Sequence, residues 1–493
     1  MPLITLEPPT INVEGLGFFR HGCVGDKVVL TNDAGDWHLL DEDDFRLFVS
    51  GGMHAEHPEY EALRDKCFLR AETDLNELAE RVARKRAFIS HGPHLHVVVT
   101  TLRCNQSCRY CHASRRPMKA VETDMSLETA KGVVDHAMQS TSPVIAFEFQ
   151  GGEPTVNMDV IRFVVDYATE KNRYEKKRLE FSLVTNFTRM DETIGAWLLD
   201  NEVYVCTSLD GPRELHDFNR PGERSFDEVV RWIRWFNERY VEDGRDPLLW
   251  HVDALATVTR KSFDHLDGIL ALYAELGIRN VHLRPLNPFG FARPAWERIG
   301  YSIEEYLAFY ERALDRILEL NREGIELMEG TAAVFLAKLL TPDDPNYVDI
   351  RSPCGAATGQ VAYDHDGAIY PCDEARMLAA QGDTIFRIGG VGQSMEDTLA
   401  HPTVKALALA SMLDSIPGCE SCWNRPFCGV CPMHTYSNCG DIFGQRPRSS
   451  MCKRFYATAS MLIERLAADA DGSTEAIFRR WTVQRPREIS GGT

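Results

Sequence analysis

Cys104, Cys108 and Cys111 stand in the stretch TTLRCNQSCRYCHASRR, with three and then two residues between them. Three thiolates on one tight loop can hold three irons of a [4Fe–4S] cube and leave the fourth iron for a small molecule. A structural zinc wants four ligands. His112 could supply the fourth, so this loop alone leaves zinc open. Fourteen cysteines occur in 493 residues. The opening residues carry no cationic apolar leader, so neither a signal peptide nor a disulfide framework is expected. The clustering of the cysteines points to metal or iron–sulfur ligation instead.

The cysteine triplet, with the aromatic Tyr110 just before its last member, resembles the signature of the radical S-adenosylmethionine superfamily. The stretch FEFQGGEPT adds Gly151, Gly152 and Glu153, which match that family's Gly-Gly-Glu-Pro motif. The resemblance implies that the open iron is chelated by the amino and carboxylate groups of S-adenosylmethionine. One-electron reduction would then release a 5′-deoxyadenosyl radical that takes a hydrogen from the substrate. Glycines would let backbone carbonyls approach the methionyl ammonium, and Glu153 would accept a hydrogen bond from it. The stretch TSLDGPRELHDFNR is similar to one common in the peptide-modifying branch. By that likeness Ser208 and Arg220 touch the ribose or carboxylate of the cofactor, Asn186 has a similar place, and Asp210 lies at the catalytic mouth. The plainer alternative is that Asp210 caps the next helix and pairs with Arg220.

A second array lies downstream. Cys354 and Cys372 flank Gly367, and after a gap come Cys419, Cys422, Cys428, Cys431, Cys439 and Cys452. This resembles the SPASM extension of radical S-adenosylmethionine enzymes, which carries two auxiliary [4Fe–4S] clusters. Two residues separate Cys428 from Cys431, where the family pattern usually has three. The resemblance assigns Cys419, Cys422, Cys428 and Cys452 to the distal cluster, and Cys354, Cys372 and Cys431 to the proximal one. Two fully ligated clusters need eight thiolates, so Cys439 is expected as the last proximal ligand. The alternative is an open iron with Cys439 a bystander. Asp373 matches an acid that serves as proton acceptor in sulfatase-maturing relatives; a cap or a loop hydrogen bond is its plainer reading. Cys23, Cys67 and Cys206 fall outside every pattern and read as small buried residues.

These groups need positioning. From residue 94 the chain alternates strands and helices. Strands are expected at 95–101, 144–150, 179–186, 203–210, 252–259 and 281–287. Ser126 should cap one of the helices between them, and a long helix runs near 302–323. Six strands in this order predict an α/β fold with a partial (β/α)6 barrel, its functional groups at the C-terminal strand ends. Residues 15–90 read as a hairpin around Asp33-Ala34-Gly35 followed by helices, the first capped by Asp41 and another spanning Leu75 to Phe88. That unit resembles the winged-helix peptide-recognition element of peptide maturases, whose strand edge would take a leader peptide. Residues 350–452 read as held by metal clusters rather than by an apolar core, apart from a hairpin turning at Asp366-Gly367. The expected domains are 1–92 for peptide recognition, 93–340 for the barrel, 341–460 for the SPASM domain with two auxiliary clusters, and 461–493 as a tail, helical to about Ala468 and frayed at its end.

The formal charge of −19 argues against a broad nucleic-acid footprint, and no run of about 18 apolar residues marks a membrane span. Taken end to end, the motifs are similar to the His-Xaa-Ser system maturase group. The resemblance implies a cytoplasmic enzyme that oxidatively modifies a ribosomally synthesised precursor peptide through a side-chain cross-link. Its cofactors would be S-adenosylmethionine and three [4Fe–4S] clusters, with an electron donor such as flavodoxin or ferredoxin. The alternatives are a protein side-chain oxidase like the sulfatase-maturing enzymes, a peptide epimerase, and a zinc-rich interaction scaffold.

Overall fold

The computed structural model describes residues 14–70 and 73–483. Most of the N-terminal stretch read for a leader, and the C-terminal REISGGT, lie outside the described residues. The chain opens with an antiparallel sheet of β1 (Arg20–Val24), β2 (Lys27–Thr31) and β3 (Trp37–Leu40), in that order. The expected hairpin is the β2–β3 pair; β1 was not foreseen. Helices Glu42–Val49, Tyr60–Asp65 and Leu75–Lys85 follow. Leu30, Leu40, Phe48, Leu63 and Phe68 form a separate small core. Asp41 stands at the N-cap of the first helix but makes no cap bond; its carboxylate is drawn to Lys27 Nζ at 2.8 Å instead.

The main sheet begins with β4 (Leu95–Thr101), β5 (Val144–Gly151), β6 (Arg178–Thr185), β7 (Val203–Ser208), β8 (Asp253–Thr257) and β9 (Asn280–Arg284). All six pair in parallel and in sequence order. Parallel neighbours need long crossovers, and helices such as Leu127–Ala137, Met158–Glu175 and Ser225–Glu242 supply them. Ser126 caps the first of these, its Oγ accepting from Thr129 N at 3.0 Å. The crossover faces bury Val133, Ile161, Val164 and Trp232 against the strands.

The sheet does not stop at six strands. Short β10 (Met328–Glu329) joins β9 in parallel on one side. On the other, β11 (Gln360–Tyr363) runs parallel to β4, and β12 (Ala368–Tyr370) and β13 (Gly389–Gly390) complete ten strands. The hairpin at Asp366-Gly367 therefore forms, and Gly367 takes φ +84°, a value few other residues adopt. The sheet runs straight across the boundary expected at residue 341. Nor is the cysteine-rich region without an apolar core: Phe289, Tyr370, Leu378, Phe386 and Leu407 pack around Cys354, Cys372 and Cys431.

Polar contacts fasten this extension to the barrel. Tyr363 Oη lies 3.0 Å from His96 Nδ1 and 2.9 Å from His136 Nδ1, and His136 Nε2 lies 3.0 Å from Thr398 Oγ1, all fully buried. The N-terminal sheet docks on the loop that carries Cys419, Cys422 and Cys428. Arg20 Nε donates to Glu420 O at 2.8 Å. Asp33 pairs with Arg20 at 3.1 Å and with Arg425, which also reaches Asp414 at 3.0 Å. A Cβ on Gly22 would stand 2.2 Å from the Trp423 ring, so only glycine lets β1 approach this loop so closely. Among the described residues no helix is long and apolar enough to cross a membrane.

Candidate active site

The loop bearing the first cysteine triplet leaves the C-terminal end of β4. It is closed by backbone bonds between Cys104 N and Arg116 O (3.0 Å) and between Cys111 N and Cys108 O (3.2 Å). Arg103 and Thr101 both grip Asp124, with Arg103 Nε at 2.7 Å and Thr101 Oγ1 at 2.6 Å. Burial pushes the Cys104 thiol up to about 12, with a further rise from the Glu153 charge, and it pushes Cys108 up to about 11. Thiols so enclosed become thiolates when a metal's charge replaces lost water.

The end of β5 packs directly on this loop. Gly151 has φ +152°, and a Cβ there would stand 2.1 Å from Thr101 O. A Cβ on Gly152 would meet Leu102 O at 2.4 Å and Arg103 O at 2.3 Å. The glycines thus admit carbonyls of the cysteine loop itself, rather than only those of a ligand. Glu153 is fully buried. Its Oε1 accepts from Thr155 N (3.1 Å), Thr155 Oγ1 (2.6 Å) and Thr185 Oγ1 (2.6 Å), and its Oε2 accepts from Asn186 N at 2.8 Å. A carboxylate offers about four acceptor sites, so only Oε2 keeps room for a ligand's ammonium. Asn186 Nδ2 points to Cys104 Sγ at 3.7 Å and Asn105 Oδ1 at 3.2 Å.

On the opposite side Asp210 is 1% exposed. Tyr110 Oη donates to both of its oxygens, at 2.8 and 2.6 Å. Arg220 Nε donates to Oδ2 at 3.1 Å and Thr257 N to Oδ1 at 3.1 Å. Arg220 also stacks over the Tyr110 ring at 5.1 Å and reaches Cys108 Sγ at 3.8 Å. Its own pKa is raised: desolvation alone would lower it, but the Tyr110, Asp210 and Cys108 charges outweigh that. Asp210 is thus enclosed among protein partners, which suits a group that positions others rather than one that meets a substrate. Ser208 ends β7, half-buried.

The downstream cysteines fall into two sets. The Cys372 thiol feels the charges of Cys431 and Cys354, and Cys431 feels Cys354. Cys428 feels Cys422, Cys452 and Cys419. The family resemblance assigns these same three and four residues to separate clusters, with Cys439 expected to join the three. Cys439 ends the helix Pro432–Cys439, is exposed, and donates its thiol to Thr435 O at 3.1 Å. It shares nothing with the proximal three, because the helix carries it a full eight residues from Cys431. Among the outliers Cys67 is buried and Cys206 half-buried, but Cys23 is exposed on β1; it is not the buried residue expected. Among the described residues no three Cys, His, Asp or Glu side chains converge on one point, as ligands of a single zinc ion do.

Between the two ends of the site lies a cavity at the C-terminal end of β9, lined by Arg284, Tyr347, Asp349, Glu374, Cys431 and Arg454. Asp373 lies beside it, held by Arg376 Nε at 2.8 Å. Glu374 is pushed up to about 7, by desolvation first and then by Asp349 and Asp373. Arg284, Asp349 and Arg454 carry no motif, so sequence reasoning missed them. The only signal was their place: Arg284 is the last residue of a barrel strand.

Residues 98–252 match the model of the Radical SAM superfamily. The cysteine-type anaerobic sulfatase-maturating enzyme of Clostridium perfringens is 26% identical over 287 residues, covering 55% of this chain and 71% of that protein. The serine-type enzyme of Bacteroides thetaiotaomicron is 22% identical over 383 residues, covering 72% and 85%. In three dimensions the chain resembles native anSMEcpe with bound AdoMet (TM-score 0.60, 19% identity, 77% of this chain and 99% of that one). It also resembles Streptococcus suis SuiB bound to the precursor peptide SuiA (TM-score 0.53, 15% identity, 88% and 98%). At these identities the structural likeness speaks for the fold.

Proposed function

We propose, from the match of residues 98–252 to the Radical SAM superfamily model, that this chain is a peptide maturase that oxidises a side chain of a ribosomally made precursor. The observation that carries this reading is the pair of buried hydrogen-bonded brackets, Glu153 with Asn186 and Asp210 with Arg220, on either side of three enclosed thiols. Bound S-adenosylmethionine, on one-electron reduction, supplies a radical able to take hydrogen from an unactivated carbon.

The protein's contribution is positional. Cys104, Cys108 and Cys111 would hold three irons. Glu153, through Thr155, Thr185 and Asn186, fixes the Cys104 side of the loop. Tyr110, Asp210 and Arg220 fix the Cys108 side, and the Arg220 guanidinium offsets thiolate charge there. Gly151 and Gly152 keep β5 in contact with the loop. Ser208, Asn186 and Arg220 would contact the nucleoside and amino-acid parts of the cofactor. The cavity beside Arg284 would receive the reacting side chain, and Asp373, oriented by Arg376, is the proton acceptor for an oxidised substrate.

Cys354, Cys372 and Cys431, and separately Cys419, Cys422, Cys428 and Cys452, would hold two further clusters of a SPASM domain, which favours net oxidation over epimerisation. The electron needed at the first site would come from a donor such as flavodoxin or ferredoxin. The N-terminal sheet and helices would act as a winged-helix leader-binding element. Its β3 has no strand partner on the outer edge among the described residues, and the helix Leu75–Lys85 buries no residue, so an extended leader could lie between them. This favours a leader-guided maturase over a sulfatase-type oxidase, and a cytoplasmic setting where thiols stay reduced.

The test is co-expression with a precursor encoded beside this chain, followed by mass spectrometry. Loss of two hydrogens from one peptide residue or cross-linked pair supports the reading. An unchanged mass with inverted stereochemistry would make the enzyme an epimerase.

A further inference from the structure

Three cysteines are too few for four irons, and the fourth expected from counting does not arrive. The Cys439 thiol is exposed and engaged with Thr435 O. What does stand at the proximal set is a carboxylate. Cys372 is the N-cap of the helix Asp373–Ala379, and Glu374 is that helix's second residue. Cys431 is in turn the N-cap of Pro432–Cys439. The two helix starts meet, so Glu374 and Cys431 line one wall of the same cavity.

The acid in the adjoining position is already occupied. Asp373 takes Arg376 as its partner at 2.8 Å, whereas among the described residues Glu374 makes no ion pair closer than 4 Å and feels the Arg284 charge only across the cavity. Asp349, the other acid of the cavity, feels two arginines, Arg284 and Arg454. The Glu374 charge is the strongest that both Cys372 and Cys431 feel, and Cys354 feels it too. A carboxylate with no direct ion pair, set beside buried thiols, gains when a further cation shares the space.

We propose that Glu374 is the fourth protein ligand of the proximal auxiliary cluster, completing a three-cysteine, one-carboxylate set with Cys354, Cys372 and Cys431. This rests on the reading that a cluster is held there. An oxygen ligand donates less charge to iron than a thiolate does. It therefore makes one iron of that cluster more labile and its reduction potential higher than a four-thiolate set would.

The experiment uses the whole protein, purified anaerobically, with iron counting, Mössbauer spectra and an EPR-monitored redox titration of wild type, E374A, E374Q, E374C and C439A. Wild type should hold about twelve irons, four per cluster. E374A should lose one iron on mild oxidation and give a three-iron EPR signal at about one per chain. E374C should resist that loss and titrate at a lower potential than wild type, and C439A should match wild type. E374Q keeps the side-chain shape, so it separates ligand loss from misfolding should E374A fail to fold. Twelve irons with E374A, E374Q and E374C all indistinguishable from wild type would overturn this assignment alone, as would a three-iron signal in C439A. A wild-type content near eight irons would instead remove the proximal cluster and the reading beneath it.

Discussion

Thr31 Oγ1, in the N-terminal sheet, donates to Trp423 O, in the loop between Cys422 and Cys428, at 2.7 Å, both ends buried. The N-terminal unit is therefore seated on the loop of Cys419, Cys422 and Cys428 rather than tethered beside it. Asp33 is the ionic centre of that seat, shared by Arg20 and Arg425, whose side chains are 4% and 8% exposed. Replacing Asp33 by Ala leaves two buried guanidiniums short of a partner and should cost about 1–3 kcal/mol. Thermal unfolding of the anaerobic protein, with iron content measured alongside, checks this: stability and distal-cluster iron should fall together. For the same reason deleting residues 1–90 would disturb the loop of Cys419, Cys422 and Cys428 as well as the proposed leader site.

A point substitution separates the two. Leu75 is 72% exposed at the start of the helix Leu75–Lys85. Leu75→Asp should weaken precursor affinity about tenfold, the effect of losing one buried leucine contact of roughly 1.4 kcal/mol. Iron content and cofactor cleavage without peptide should stay at wild-type levels. Binding measured by fluorescence anisotropy with a labelled leader would show it, and unchanged affinity would remove this helix from the leader site.

Asp210→Asn keeps the shape of the bracket on the Cys108 side but removes the charge that faces Arg220. Partners of this kind commonly carry 10–100-fold in affinity or activity. A loss of that order in 5′-deoxyadenosine formation is expected, with Tyr110→Phe smaller because Thr257 and Arg220 still hold the carboxylate. Chromatographic assay of 5′-deoxyadenosine measures both.

Acid should loosen the join between barrel and extension. Burial pushes His96 down to about 3 and His136 down to about 4, while both take about 6.5 when unfolded. The unfolded chain then binds more protons than the folded one across that interval. Stability is thus fully present above about pH 6.5 and is lost as pH falls toward 4, by about 3 kcal/mol per histidine. Melting temperature should hold from pH 7.5 to about 6.5 and drop steadily from there to pH 5, and H136Q should flatten the slope.

The cysteine loop, the Gly-Gly-Glu turn and the barrel order were legible because each is fixed by local rules: a strand, a turn needing glycine, a ligand spacing. The grouping of seven downstream cysteines came from the family resemblance rather than from their separations. The misses are all matters of tertiary placement. Nothing near Gln360 announces that β11 will pair with β4, some 265 positions away. A four-residue strand, Gln-Val-Ala-Tyr, is too short to carry a periodic signal. Counting thiols pointed to Cys439, but a helix turned it outward and left Glu374 in the gap. Arg284 and Arg454 meet only because the final long helix, Ser450–Ala467, folds back over the barrel mouth.

The most direct measurement is the EPR spectrum of the reduced, anaerobic protein with and without S-adenosylmethionine. Binding of the cofactor to the iron left free by Cys104, Cys108 and Cys111 should shift the signal of one cluster and leave the others unchanged. That shift should vanish when the three cysteines are replaced by alanine. A spectrum indifferent to S-adenosylmethionine, in protein holding its full iron, would contradict an open iron at this loop.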